Sequence, residues 1–216
     1  MKNSKLRRAL LLVASAVLLV SISVSATLAY LTSKTEVVTN TFSVGNVKIT
    51  LDEAKVNEYG KLLDTAGKAD GEEGYDANSL AARVTSNVYK LIPGHTYVKD
   101  PTIHVAEKTD TQEASEDCWL FVKVENGIAD IEADTTIASQ MQTIGWTLVD
   151  GQTNVYAYKE IVSAGADVVV FNTFTVGGNA NVSNYATATV KITAYAIQAD
   201  GFTTSAAAWT AAPATW

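Results

Sequence analysis

The sequence predicts an all-β protein with one or two short helices, built as two antiparallel sheets packed face to face in a β-sandwich and preceded by a signal-peptide helix. Three observations carry that expectation. Apolar and polar residues alternate with a period of two through several segments, as half-buried strands require. Glycine- and proline-based turn signals separate those segments. Only one internal stretch has helical spacing, and short strands divided by turns favour packed sheets.

The chain opens with Lys2, Lys5, Arg7 and Arg8, then an apolar run from Ala9 to Val20, then a stretch rich in Ser, Thr and Ala up to Ala29. That order of charge, apolar bulk and small residues is how an export signal reads. The expected cut lies between Ala29 and Tyr30, with Ala26 as the nearest alternative site. An uncleaved membrane anchor is the competing reading, since the apolar stretch approaches the length that spans a bilayer. The Ser and Thr content from Ser21 to Thr27 argues against it. The expected organisation is therefore a signal peptide over 1–29, an N-terminal segment over 30–41 and a single β-domain over 42–216.

Within the domain, Phe42 to Leu51 reads as the first strand, because Val47, Ile49 and Leu51 alternate with Lys48 and Thr50. From Lys55 to Ala82 the pattern dissolves into glycines and acidic residues, which is loop composition. Pro93-Gly94 marks a turn between two extended segments. Tyr97 to Val105 follows as a strand, with Pro101 placing it at an edge or a bulge. Cys118 to Glu125 has one wholly apolar face, Cys118, Leu120, Val122 and Val124, and reads as a central strand. Ala133 to Ile144 is the helical stretch, with Ile137, Met141 and Ile144 on one face and Asp134, Thr135 and Thr136 as candidate caps. Trp146 to Val149 and Val155 to Tyr158 flank Asp150-Gly151 as a hairpin. Val168 to Val176 and Thr187 to Ile197 are further strands, and Ser205 to Ala212 reads as an alanine-rich terminal turn or helix.

Charge and cysteine content bound the partners. Removing the first 29 residues takes away four of the 16 basic side chains and none of the 23 acidic ones, leaving a net charge of −11. Such a surface argues against nucleic acid and anionic membrane as partners, with membrane contact only through an uncleaved signal segment. Cys118 is the only cysteine, so no internal disulfide forms and stability comes from burial or assembly. Its apolar neighbours suggest a buried, inert thiol, with an intermolecular disulfide as the alternative.

Ala26-Thr-Leu-Ala-Tyr-Leu-Thr32, Asn40-Thr-Phe-Ser-Val-Gly45 and Val47-Lys-Ile-Thr-Leu51 resemble the TasA/CalY (camelysin-like) family of Gram-positive bacteria. Leu91-Ile-Pro-Gly-His-Thr96, the strand Trp119 to Glu125 and the closing strand Val190 to Gln198 extend the resemblance toward the C-terminus. The resemblance implies a jelly-roll-like sandwich, export through a SipW-type signal peptidase, secretion to the extracellular matrix or cell surface, and self-assembly into biofilm-matrix fibres. It also implies that the new N-terminal segment of one subunit adds as a strand to the next. Tyr30 to Asn40 is the candidate donor, with Tyr30, Leu31, Val37 and Val38 as its apolar positions and no proline or glycine. A mobile terminus or an ordinary first strand of its own sheet is the other reading of that segment. The expected partners are the peptidase, further copies of the chain and other matrix components.

No enzyme is expected. Some camelysin-like relatives carry a metalloprotease label, but a zinc hydrolase needs about three protein ligands and a general base. Here His95 and His104 are the only histidines, nine residues apart across a strand that contains Pro101. No Gly-x-Ser-x-Gly elbow or phosphate-binding glycine loop is present, and no cofactor is expected. Asp64, Asp70, Glu72, Glu73 and Asp76 form a weak calcium candidate without EF-hand spacing, against the plainer reading of a solvated loop. Trp119, Trp146, Tyr156 and Tyr158 are a candidate sugar-stacking platform, against the plainer reading of core aromatics. The structural subunit therefore stands beside two alternatives, a surface adhesin or glycan- or protein-binding module and, third, a metalloprotease.

Overall fold

Period-two alternation of β-branched and aromatic residues produces strands, and eleven are found in the computed structural model, which describes residues 47–212 and the backbone of Thr32–Thr35 and Phe42–Val44. They are β1 (Thr32–Thr35), β2 (Phe42–Val44), β3 (Ile49–Asp52), β4 (Thr96–Val98), β5 (Thr102–Val105), β6 (Cys118–Asn126), β7 (Trp146–Leu148), β8 (Val155–Tyr158), β9 (Asp167–Val169), β10 (Thr173–Thr175) and β11 (Val190–Gln198). Among the described residues two α-helices accompany them, α1 (Ile137–Ile144) and α2 (Ser205–Ala211), with short 3-10 turns at Ala129–Ile131 and Val182–Tyr185. All the described residues belong to the one of the chain's two compact units that begins at Leu31. The protein is all-β with short helices, and every strand pair is antiparallel.

A six-stranded sheet runs in the order β2-β1-β11-β6-β8-β7, beside a three-stranded sheet β3-β5-β9 and a two-stranded sheet β10-β4. The nine-residue strands β6 and β11 form its centre, paired from Cys118↔Gln198 to Asn126↔Val190. One face presents Leu120, Val122, Ala194 and Ala196, all fully buried, and these share a core with Val47, just before β3, and with Ile49, Ile103 and Val105 of the three-stranded sheet. The opposite face carries Trp119, Phe121, Tyr195 and Ile197, also buried. Helix α2 covers that aromatic end, with Ala208 at 0 % exposure and the Trp209 ring 5.3 Å from that of Phe121.

The helix and hairpin lie where the periodicity places them. Thr136 Oγ1 accepts the Ser139 N–H at 3.1 Å and caps α1, while Gly145 ends it at φ 117. β7 and β8 pair as Trp146↔Tyr158 to Leu148↔Tyr156.

Three expected strands are interrupted instead of continuous. Phe42 to Leu51 divides into β2 and β3, Tyr97 to Val105 into β4 and β5, and Val168 to Val176 into β9 and β10, each half in a different sheet. Pro101 does not sit at an edge or bulge of one strand; it marks the crossing from one sheet to the other. Val170 donates its N–H to Pro101 O and Lys99 donates to Asn172 O, so two neighbouring segments cross at the same level. Val170 and Phe171 are both fully buried, which consecutive residues of a half-buried strand are not.

The 55–82 segment is irregular but tied down by isolated bridges, Val56↔Leu62, Leu63↔Ala69 and Asp64↔Leu80. Gly60, at φ +70, is required there twice over. A Cβ at that position would lie 2.6 Å from the Tyr97 Cα, and a side chain is strained in that backbone conformation.

Candidate functional site

The described part of the candidate donor segment is β1, and it lies in the sheet of its own chain. Thr32↔Ile197 to Thr35↔Ala194 pair it with β11, and Thr32↔Val44 to Lys34↔Phe42 pair it with β2. Ala29, Tyr30, Leu31, Val37 and Val38 lie outside the described residues, as does the signal segment 1–29. Among the described residues, β1 covers β11 only from Ala194 onward, so the edge of Val190–Thr193 has no paired strand.

That edge borders a groove of about 680 Å3, lined on the other side by the irregular 85–91 segment. Its walls include Tyr89, Leu91, Phe174, Val182, Tyr185 and Ile192, and Val88 beside them is 84 % exposed. Tyr89 packs edge-on against both Tyr97 and Phe174 at 5.8 and 5.2 Å, which makes this wall an extension of the core. Burial pushes the Tyr89 hydroxyl far up from its ordinary pKa, with the Glu53 and Asp100 charges adding to it, so it stays protonated and donates to Val98 O.

A polar cluster lies in the same groove. Glu53 follows β3 and is held by reciprocal backbone bonds with Val84, both 2.8 Å. Its carboxylate accepts Lys99 Nζ on Oε2 and the Asn87 side-chain amide on Oε1 at 2.9 Å. The Glu53 and Lys99 side chains are only 5 % and 10 % exposed. Asn87 also donates to Ala54 O at 2.9 Å and accepts the Val56 N–H on Oδ1 at 3.1 Å, so its amide is held at both ends. None of these residues is singled out by sequence reasoning. The pairs are 34 and 46 residues apart, and the only local signal is the Asp52-Glu53 charge closing an apolar strand.

The acidic candidates do not converge. Asp64 is buried, with Oδ1 accepting from Ala66 and Lys68 and Oδ2 from Asp76, all backbone N–H groups. Burial pushes its carboxyl up, but the bonds from Lys68, Asp76 and Ala66, with the Lys68 charge, outweigh that and hold it below the ordinary range. Glu72 Oε2 accepts the Ala69 N–H at 2.9 Å and Asp76 Oδ1 accepts from Asn78, while Asp70 and Glu73 are exposed. These carboxylates fold the loop on itself. Among the described residues, no group of three or more His, Cys, Asp or Glu is placed to hold a metal ion.

The two histidines sit in different settings. His95 Nε2 bonds Tyr59 O at 2.9 Å, and its ring stands edge-on to Tyr97 at 4.5 Å. His104 on β5 bridges its two neighbours, with Nδ1 2.6 Å from Asp167 Oδ1 on β9 and Nε2 2.9 Å from Asp52 Oδ1 on β3. Arg83 reaches the same Asp52 oxygen and also Asp100 Oδ2 at 2.9 Å. A ring with a carboxylate at each nitrogen is best served as imidazolium, donating twice. Burial lowers the His104 pKa, but the bonds and charges of Asp52 and Asp167 outweigh it and raise it above 6.5.

The sign of the linkage follows, because a raised folded-state pKa stabilises the protonated fold. This contribution is complete below pH 6.5 and is lost as pH rises through the raised native value. Urea unfolding across that window is expected to show falling stability, and in His104→Gln that part of the slope disappears.

Of the aromatic candidates, Trp119 and Trp146 are buried, and Tyr156 and Tyr158 pack half-buried against the core, so the four present no open stacking platform. Cys118 is buried and free; burial, with the neighbouring Asp117 charge, pushes its thiol up to about 12, away from thiolate chemistry. No protein-family model matches the chain, and it matches no curated protein and no solved structure.

Proposed function

We propose that the protein is a secreted structural subunit of the TasA/CalY type, a jelly-roll-like β-sandwich that assembles into matrix fibres by N-terminal strand addition after signal cleavage. The observation that carries this reading is the placement of β1, a four-residue strand at the N-terminal end of the domain, beside β11 with the edge of Val190–Thr193 beyond it. A strand from a neighbouring copy takes the same slot with the same main-chain hydrogen bonds and runs on into the groove. Continuing the β1 register would bring Glu36 opposite Thr193 and Val37 opposite Ile192. The connection from Thr35 to Phe42 supports exchange over a closed hairpin, since Glu36-Val-Val-Thr-Asn-Thr41 holds no glycine or proline and favours extended backbone. In this reading the chain is not an enzyme, and its partners are a SipW-type peptidase during export and further copies of itself.

A reversible lock tests the proposal. Ser33 and Ala196 are directly opposed, within reach of a disulfide. In Ser33→Cys/Ala196→Cys the oxidised protein, with β1 fastened to its own sheet, should remain monomeric by electron microscopy, and reduction should restore fibres. Fibres of unchanged form from the oxidised protein would refute strand exchange. A reduced, unlocked chain that stays monomeric but retains a glycan or a protein ligand in the groove would favour the binding-module reading instead.

A further inference from the structure

We propose that Lys99 and Asn87 become joined by an intramolecular isopeptide bond, with Glu53 as the catalytic carboxylate. The inference rests on how three segments converge, independently of whether the chain assembles. Glu53 follows β3, Asn87 lies in the 85–91 wall of the groove, and Lys99 stands at the crossing from β4 to β5. One carboxyl group holds the amine on one oxygen and the amide on the other. The amine and the amide are therefore neighbours, held by a side chain that is itself 5 % exposed. The Tyr89 ring, its centroid 5.8 Å from Lys99 Nζ, forms an apolar wall to the cluster.

Each group has a defined part in the chemistry. Glu53 Oε2 accepts the hydrogen bond from Lys99 Nζ, so it is the group placed to take the proton that the amine gives up before it attacks. The freed amine attacks Cγ of Asn87, and the negative charge that develops on Oδ1 meets the Val56 N–H that already donates to it at 3.1 Å. Glu53, within hydrogen-bond reach of both nitrogens, carries a proton from the attacking nitrogen to Nδ2. The Cγ–Nδ2 bond then breaks, the Nζ–Cγ amide bond remains, and ammonia leaves through the groove. The proton first taken by Glu53 passes to the departing ammonia, so the ammonium of Lys99 and the amide of Asn87 become one secondary amide and one ammonium ion. No oxidant, metal or other reactant is required.

The product would close the chain between Asn87 and Lys99, fixing the groove wall to the β4–β5 crossing. Cys118 is the sole cysteine, so this is a covalent constraint that the chain can make without a disulfide. A closed loop restricts the unfolded chain whichever covalent bond closes it.

Mass spectrometry of the folded, purified full chain tests the proposal. The intact mass should fall below the sequence mass by one ammonia. Trypsin should leave Lys99 uncut and yield Val84–Lys90 joined to Leu91–Lys108 as one branched species. Lys99→Arg should abolish both signatures. Asn87→Asp should keep the branch but lose water in place of ammonia, a change of leaving group that no structural role would produce. An unmodified intact mass with free Leu91–Lys99 peptide overturns the proposal, and so does an ammonia loss that maps to Asn126-Gly127. The wild-type result is decisive even where a variant fails to fold.

Discussion

Replacing Trp146 with alanine should lower the free energy of unfolding by about 3–5 kcal/mol, the range for truncating a large buried aromatic ring. The indole is at 0 % exposure on β7 and packs 5.1 Å from the Tyr158 ring. It also donates Nε1–H to Val169 O on β9 at 3.0 Å, so it joins the end of the six-stranded sheet to the three-stranded one. Alanine removes the ring, leaves a cavity and deletes the bond between the sheets. Trp146→Phe keeps an apolar ring without the donor and should fall between. Equilibrium urea denaturation followed by circular dichroism measures both, and a loss under about 1 kcal/mol for the alanine variant would show that this bridge carries little.

Measured against the folded chain before Lys99 and Asn87 are joined, Glu53→Ala should cost a similar amount, about 3–5 kcal/mol, because it leaves the Lys99 ammonium buried without its counter-ion. Lys99 is 10 % exposed, so water replaces the lost partner poorly. Asn87 loses its acceptor on Nδ2 in the same step. The contrast with a double variant is the informative part. Glu53→Ala/Lys99→Met removes both charges and should be clearly more stable than Glu53→Ala alone, since the residual cost of a missing pair is smaller than that of an orphaned charge. A single variant as stable as that unjoined reference would mean the groove floor is wetter than the burial of these side chains implies.

The strands that period-two alternation marks most strongly lie where the sequence places them. Cys118 to Glu125 is a central strand because Leu120 and Val122 belong in a core whatever lies opposite. Thr136 caps α1 through a bond to a residue three positions on, a local relation that sequence can display. Tyr97 to Val105 and Val168 to Val176 were less legible. Alternation shows that a segment is extended, but not that its halves belong to different sheets. That division follows from Val170 N bonding Pro101 O, a contact between residues far apart in the chain.

The same limit applies to the site. The acidic loop reads as a possible cation site, yet Asp64 spends its oxygens on three backbone N–H groups that only the folded loop presents. His104 reads as half of an incomplete metal set, and its partners Asp52 and Asp167 are 52 and 63 residues away. Glu53, Asn87 and Lys99 carry no motif at all.

The sequence alone therefore determined the all-β class, the central strand, the hairpin and the capped helix, because each depends on side-chain periodicity or on neighbours a few residues apart. The tertiary structure alone decided where strands pass between sheets, which edge of β11 β1 covers, and which acid meets which base. Those depend on approach between distant segments, where burial sets the strength of each contact and the sequence order of the partners does not.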